Sequence, residues 1–164
     1  MAGVPPSIRQ EIQQSKPFRS PAEEAYIGLI RTTDLVRRKL CDRLESEGVT
    51  HQQYNVLRIL AGAHPESLPT LEVGERMVER APGITRLLDR LGEKGLVERR
   101  RCPSDRRQMD CRITANGLAL LDRLRDPVLE EIESAFRCIG PARVELLSRL
   151  LDDLRAGARP DVHD

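Results

Sequence analysis

Six of the fourteen residues from Arg99 to Arg112 are arginine, and Thr85, Arg86 and Arg90 recur at helical spacing just upstream. A guanidinium is permanently charged and offers a planar fork of donors, so it suits phosphate oxygens and guanine edges rather than proton transfer. The chemistry open to such a cluster is therefore recognition of an anion, not catalysis. No Ser/His/Asp or Cys/His pairing can be assembled, and no glycine-rich phosphate loop is present. His51, His64 and His163 are scattered, with no Cys or acidic residue at ligand spacing. The expectation is a non-enzyme with no metal site and no cofactor.

The elements that must hold these arginines can be read from periodicity. In the segment Pro82 to Gly95, Ile84, Leu87, Leu88 and Leu91 fall on one helical face, with Thr85, Arg86, Asp89 and Arg90 on the other. One face packs and the other is free to enter a groove. Pro82 and Gly83 open this helix, Pro82 within its first turn, and Gly95 supplies a left-handed stop. The period then changes to strand, Leu96 to Arg101, followed by a turn from Cys102 to Asp105 and a second strand from Met109 to Ile113. Arg106 and Arg107 sit at the tip of this ribbon, where an arginine can enter a narrow A·T-rich minor groove, and Asp105 is placed to hold the Arg107 side chain extended. Upstream, Thr70 caps a helix from Leu71 to Arg80, and a turn at Arg80 and Ala81 joins it to the next. The result is a helix-turn-helix followed by a β-hairpin wing. A solvated polar turn would also carry charge, but a wing directly after a helix-turn-helix has a defined docking geometry on DNA.

Charge distribution points to the same place. The chain carries 27 basic and 26 acidic residues, yet residues 80–112 hold ten basic against five acidic, a net of +5. Residues 1–79 carry −1 and residues 115–164 carry −3. A near-neutral total thus hides a local basic patch between acidic segments. With 164 residues, two Phe, two Tyr and no Trp, the interior must be built from Leu, Ile, Val and Ala. The expected class is mainly α with a small β-hairpin wing. No apolar run is long enough to cross a bilayer and the N-terminus lacks the character of a signal peptide, so the expected setting is cytoplasmic, away from membranes. The four cysteines form no C-x-x-C pair.

Around the basic patch, residues 1–20 read as an arm with a short helix over Ser7 to Gln14. A long helix follows from Pro21 to about Glu47, carrying Tyr26, Leu29, Ile30, Thr33, Val36, Leu40 and Leu44 on one stripe. Thr50 caps a helix ending near Gly62. After the wing, Thr114 caps a helix that Pro127 is expected to kink or restart, and Ala142 to about Leu154 forms a last helix with Val144, Leu147, Leu151 and Leu154 in a stripe. Residues 21–49 and 115–157 thus form a helical dimerisation region, 50–114 the winged helix-turn-helix, and 158–164 a flexible tail, with fraying expected from Ala156. Surplus apolar stripes on the end helices imply a partner, most economically a second copy. A two-fold homodimer would present its reading helices to double-stranded DNA bearing a palindromic operator.

The segments THQQYNVLRIL (Thr50 to Leu60), LPTLEVGERMVERAPGITRLLDRLGEKG (Leu68 to Gly95) and CPSDRRQMDCRIT (Cys102 to Thr114) together resemble the multiple antibiotic resistance regulator (MarR) family. The resemblance runs through nearly all of the chain past residue 20 in element order. It implies a homodimeric winged-helix repressor whose operator affinity falls when a small molecule or oxidant acts. Carried over by motif, the DNA-binding positions are Pro82, Gly83, Thr85, Arg86 and Arg90, with Arg107 in the minor groove and Asp105 steadying it. Thr70, Arg100 and Arg106 join them, the two arginines as phosphate contacts. For the effector, the resemblance points to Tyr26, Ile30, His51, Tyr54 and Arg58 and to phenolic or other aromatic acids. Cys102 and Cys111 depart from the family pattern. Cys102 lies among arginines, which favours thiolate, so a redox-responsive regulator of the same fold is one alternative. A protein-interaction scaffold that does not bind DNA is the other.

Overall fold

In the computed structural model, which describes residues 5–102, 105 and 107–158, hydroxyl caps open the first three helices. Ser7, Ser20 and Thr50 lie in extended backbone and accept hydrogen bonds from the N–H groups of Gln10, Glu23 and Gln53, starting α1 (Ile8–Glu11), α2 (Pro21–Ser46) and α3 (His51–Ala63). Each cap satisfies a donor that the helix itself cannot. A two-residue strand, β1 (Leu68–Pro69), leads into α4 (Thr70–Glu75), then α5 (Ile84–Glu93), the hairpin β2 (Val97–Arg101) and β3 (Met109–Ile113), and the long helices α6 (Ala115–Phe136) and α7 (Pro141–Ala158).

The strands form one antiparallel sheet in the order β1-β3-β2, with Leu68 opposite Cys111 and Val97 opposite Ile113. The core lies between this sheet and the helices: Leu44, Val56, Leu57, Val73, Leu88, Leu91, Cys111 and Leu124 are fully buried. Thr114 joins three elements at once. Its hydroxyl donates to the Gly95 carbonyl at 2.7 Å, accepts from the Gly117 N–H at 3.2 Å, and so ties the end of α5 to the start of α6. Gly117 allows the approach, because a Cβ there would lie 2.5 Å from the Leu96 carbonyl oxygen.

The mainly α class with a hairpin wing is as the residues suggested, and several local readings are corrected. The short helix in the arm spans Ile8–Glu11 rather than Ser7 to Gln14. The helix after Pro69 stops at Glu75, and Thr70 is its first residue rather than its cap. The Thr70 hydroxyl instead donates to the Met109 carbonyl of β3 at 3.0 Å. The turn is correspondingly longer, 76–83, and Pro82 lies before the α5 cap. Gly83 is that cap, at φ +92, a left-handed conformation that costs glycine little. Pro127 neither ends nor restarts α6, which runs as one helix through it. The last helix continues to Ala158, past the expected fraying at Ala156, while 159–164 lie outside the described residues. β1 has no signal in the sequence, since two residues carry no readable period. Among the described residues, no helix is long and apolar enough to cross a membrane.

Candidate nucleic-acid interface

Helix α5 presents the face its sequence required. Leu88 and Leu91 are fully buried and Ile84 and Leu87 half-buried, whereas Thr85, Arg86 and Arg90 are exposed. No side chain caps its first turn and no acidic residue lies there. The positive end of the helix dipole therefore faces solvent. At the other end, the Lys94 ammonium donates to the Gly48 carbonyl at 2.6 Å and to Gln53 Oε1 at 3.0 Å, anchoring the helix to the α2–α3 junction. Before α5, the Val78 N–H donates to Asn55 Oδ1 at 3.0 Å and Arg37 reaches Glu79 at 3.4 Å. The turn is thus suspended between α2 and α3, and α5 with it.

In the wing, Arg99 forms an ion pair with Asp89 on the outward side of α5, which links hairpin to helix. The Glu98 carboxylate accepts from Arg100 at 2.9 and 2.6 Å and from Arg112 at 3.1 Å. These two guanidinium groups hold its carboxyl below the usual carboxylate range. Arg100, expected as a phosphate contact, is therefore engaged within the protein. Asp105 Oδ1 accepts from the backbone N–H of Arg107 at 2.9 Å, so it shapes the tip rather than extending the Arg107 side chain. Such local side-chain bonds favour turns. Arg107 is exposed, and Arg106 lies outside the described residues. Cys102 is half-buried at the base of the tip, its N–H donating to the Gln108 carbonyl at 3.0 Å.

The five effector candidates are not brought together. Tyr54 and Arg58 line a cavity of about 720 Å³ between α3 and α6, with Leu121 and Val128 across from them and Asp122 and Arg125 also on its wall. Tyr26, Ile30 and His51 do not line it, and Tyr26 and Ile30 are exposed on α2 at 62% and 51%. Helical spacing placed Tyr26 and Ile30 on one stripe, but α1, tied to that end of α2 by Arg31 and Glu11 at 2.7 Å, leaves both exposed. Asp122 and Arg125, which pair with each other at 3.0 Å on the rim, carry no sequence signal that sets them apart from other solvated charges. Among the described residues, no three of His, Cys, Asp and Glu cluster in a way that could hold a metal ion.

A family model described as the MarR family matches residues 47–108, which covers α3, the helix-turn-helix and most of the wing. A MarR transcription factor from Planctomyces limnophilus is 38% identical, with a TM-score of 0.66 over 83% of this chain and 98% of its own. The chain belongs to the MarR family. It is a MarR-family transcriptional regulator with a DNA-binding winged helix-turn-helix. Two further structures are similar. Sco3205, a MarR family regulator from Streptomyces coelicolor solved in complex with DNA, is 24% identical with a TM-score of 0.77 over 92% of this chain and 97% of its own. NadR in complex with 4-hydroxyphenylacetate is 27% identical, with a TM-score of 0.65 over 85% of this chain and 97% of its own. For the MarR fold, α5 is the second helix of the helix-turn-helix, the position from which bases are read.

Proposed function

We propose that this MarR-family protein is a homodimeric repressor of an inverted-repeat operator, released by a small aromatic acid. The observation that carries the reading is α5, buried through Leu88 and Leu91 and exposed through Thr85, Arg86 and Arg90, with an uncapped first turn. Arg86 and Thr85 reach base edges in the major groove, where a bidentate arginine on guanine contributes about 1–3 kcal/mol of discrimination. Arg90 takes phosphate, and Pro82 and Gly83 let the backbone approach it. Thr70 acts from behind, by fixing β3 to α4. Arg107 enters the minor groove, with Asp105 shaping its turn and Arg106 beside it in sequence. The complex of Sco3205 with DNA supports this use of the fold.

Dimerisation is supported by what α7 leaves uncovered. It has no buried residue, and Leu146, Leu150 and Leu154 are 48–56% exposed, while Leu129 and Ile132 on α6 are 51% and 37% exposed. The end helices, 21–49 and 115–157, are the dimerisation region in this reading. The effector reading rests on the α3–α6 cavity, with an apolar wall for a ring and Arg58 for a carboxylate. NadR with 4-hydroxyphenylacetate shows the ligand class in a relative.

The experiment is a mobility shift with the DNA upstream of the protein's own gene, with and without aromatic acids. Arg86→Ala should relax sequence preference and Arg107→Ala should weaken binding most at A·T-rich flanks. Unchanged affinity in Arg107→Ala would remove the wing from the reading. Sedimentation of a single subunit at micromolar concentration would remove the dimer.

A further inference from the structure

The arginines of the wing are not equivalent. Arg99 is committed to Asp89, and Arg100 and Arg112 are both committed to Glu98. Arg101 and Arg107 have no carboxylate partner among the described residues. Asp89 reaches Arg99 from α5, and the strand register places Glu98 by the other two. Glu98 lies directly opposite Arg112 across the hairpin and two residues from Arg100 on the same strand, so all three share the outer face of the sheet. Val97, Cys111 and Ile113 occupy the inner face, in the core.

We infer that Glu98 is an intramolecular rival of DNA phosphate, holding Arg100 and Arg112 out of the charge that the wing offers a duplex. The inference rests on the reading of the wing as a DNA contact. Its physical basis is competition for the same donors. A carboxylate and a phosphate oxygen accept from a guanidinium with similar geometry, and Glu98 is already in place with three hydrogen bonds. A phosphate must displace it before either arginine releases counterions from the duplex. Sequence-independent affinity is set by how many such contacts form. Glu98 therefore limits nonspecific binding while leaving the base-reading face of α5 untouched, which makes it a determinant of specificity. The arrangement persists at neutral pH, where a glutamate carboxyl is ionised, and the same two arginines favour the ionised form further.

The test is fluorescence anisotropy of the full chain on a labelled random-sequence duplex, titrated at salt from about 50 to about 200 mM. Glu98→Gln keeps the size and removes the charge. It should bind more tightly at the low end, and two added phosphate contacts should steepen its loss across that range by roughly tenfold over wild type. In an Arg100→Gln/Arg112→Gln background, Glu98→Gln should leave the salt slope unchanged. Arg100→Gln alone, in the otherwise natural chain, should also leave the slope unchanged, which tests the idea without relying on a Glu98 variant. Thermal unfolding of each variant checks that the fold is retained. An unchanged slope in Glu98→Gln overturns the inference, as does an equal change in the double-arginine background, which would signify only the loss of one negative charge near DNA. If the wild-type protein binds no duplex at all, the DNA-contact reading fails first, and with it this one.

Discussion

The segment from Leu44 to Val128 and the two ends of the chain follow opposite packing rules. In the first, leucines from α3, α5 and α6 close on a three-stranded sheet, and Leu57, Leu88, Leu91 and Leu124 lose all contact with solvent. At the ends, Tyr26 and Ile30 on α2 and Leu146, Leu150 and Leu154 on α7 remain roughly half exposed or more. The reading head is complete within one chain. The end helices bear apolar stripes of similar composition that stay largely open to solvent, which teaches that an amphipathic pattern specifies a buried face without specifying what buries it.

The largest expected effect that would break this contrast is in the head. Leu91→Ala removes a fully buried side chain and should cost about 2–5 kcal/mol in urea unfolding, with the natural chain's dependence of the midpoint on protein concentration retained. A smaller loss, about 1–3 kcal/mol, is expected for Gly117→Ala, because the added methyl meets the Leu96 carbonyl and the Ile113 side chain, and one of these must shift. Leu150→Ala sharpens the other side of the comparison. Its effect should appear as a change in how Tm depends on protein concentration, since it acts on association rather than on the core. A concentration-independent loss as large as that of Leu91→Ala would show that α7 belongs to the same core as the head.

The smallest effect is a pH dependence at the seam between the two regions. Burial pushes the Cys41 thiol above its ordinary 9.0, against a lowering by Arg37 and with further raising by Glu45, Asp42 and Glu79. The folded state therefore holds that proton more tightly than the unfolded chain. The associated stability is complete below about pH 9 and is lost as pH rises beyond it. Urea unfolding on either side of that value should show the decline in the natural chain and a shallower one in Cys41→Ala.

Local physics made much of the architecture legible. Thr50, Thr114 and Gly95 each mark a boundary through a single backbone requirement, and the leucine spacing of α5 specifies its buried face by geometry alone. Resemblance added the roles of Arg86 and Arg107, which periodicity could not supply. Less legible was any feature that depends on a partner distant in sequence. Thr70 looked like a cap because cap and strand anchor use the same hydroxyl, and the choice was made by Met109, 39 residues away. Tyr26 and Tyr54 looked alike on their helices, yet Tyr54 lines the cavity and Tyr26 faces solvent.

What the amino-acid order determined by itself was the succession of helices, the wing, and a basic surface between acidic flanks, because each depends on neighbours within a turn or a hairpin. The tertiary structure decided which arginines are available. Arg99, Arg100 and Arg112 carry the same charge as Arg101 and Arg107, but an ion pair forms only where the fold brings a carboxylate to the guanidinium, Asp89 from α5 for the first and Glu98 by pleat and register for the other two. That is a property of the folded chain, and no count of residues contains it.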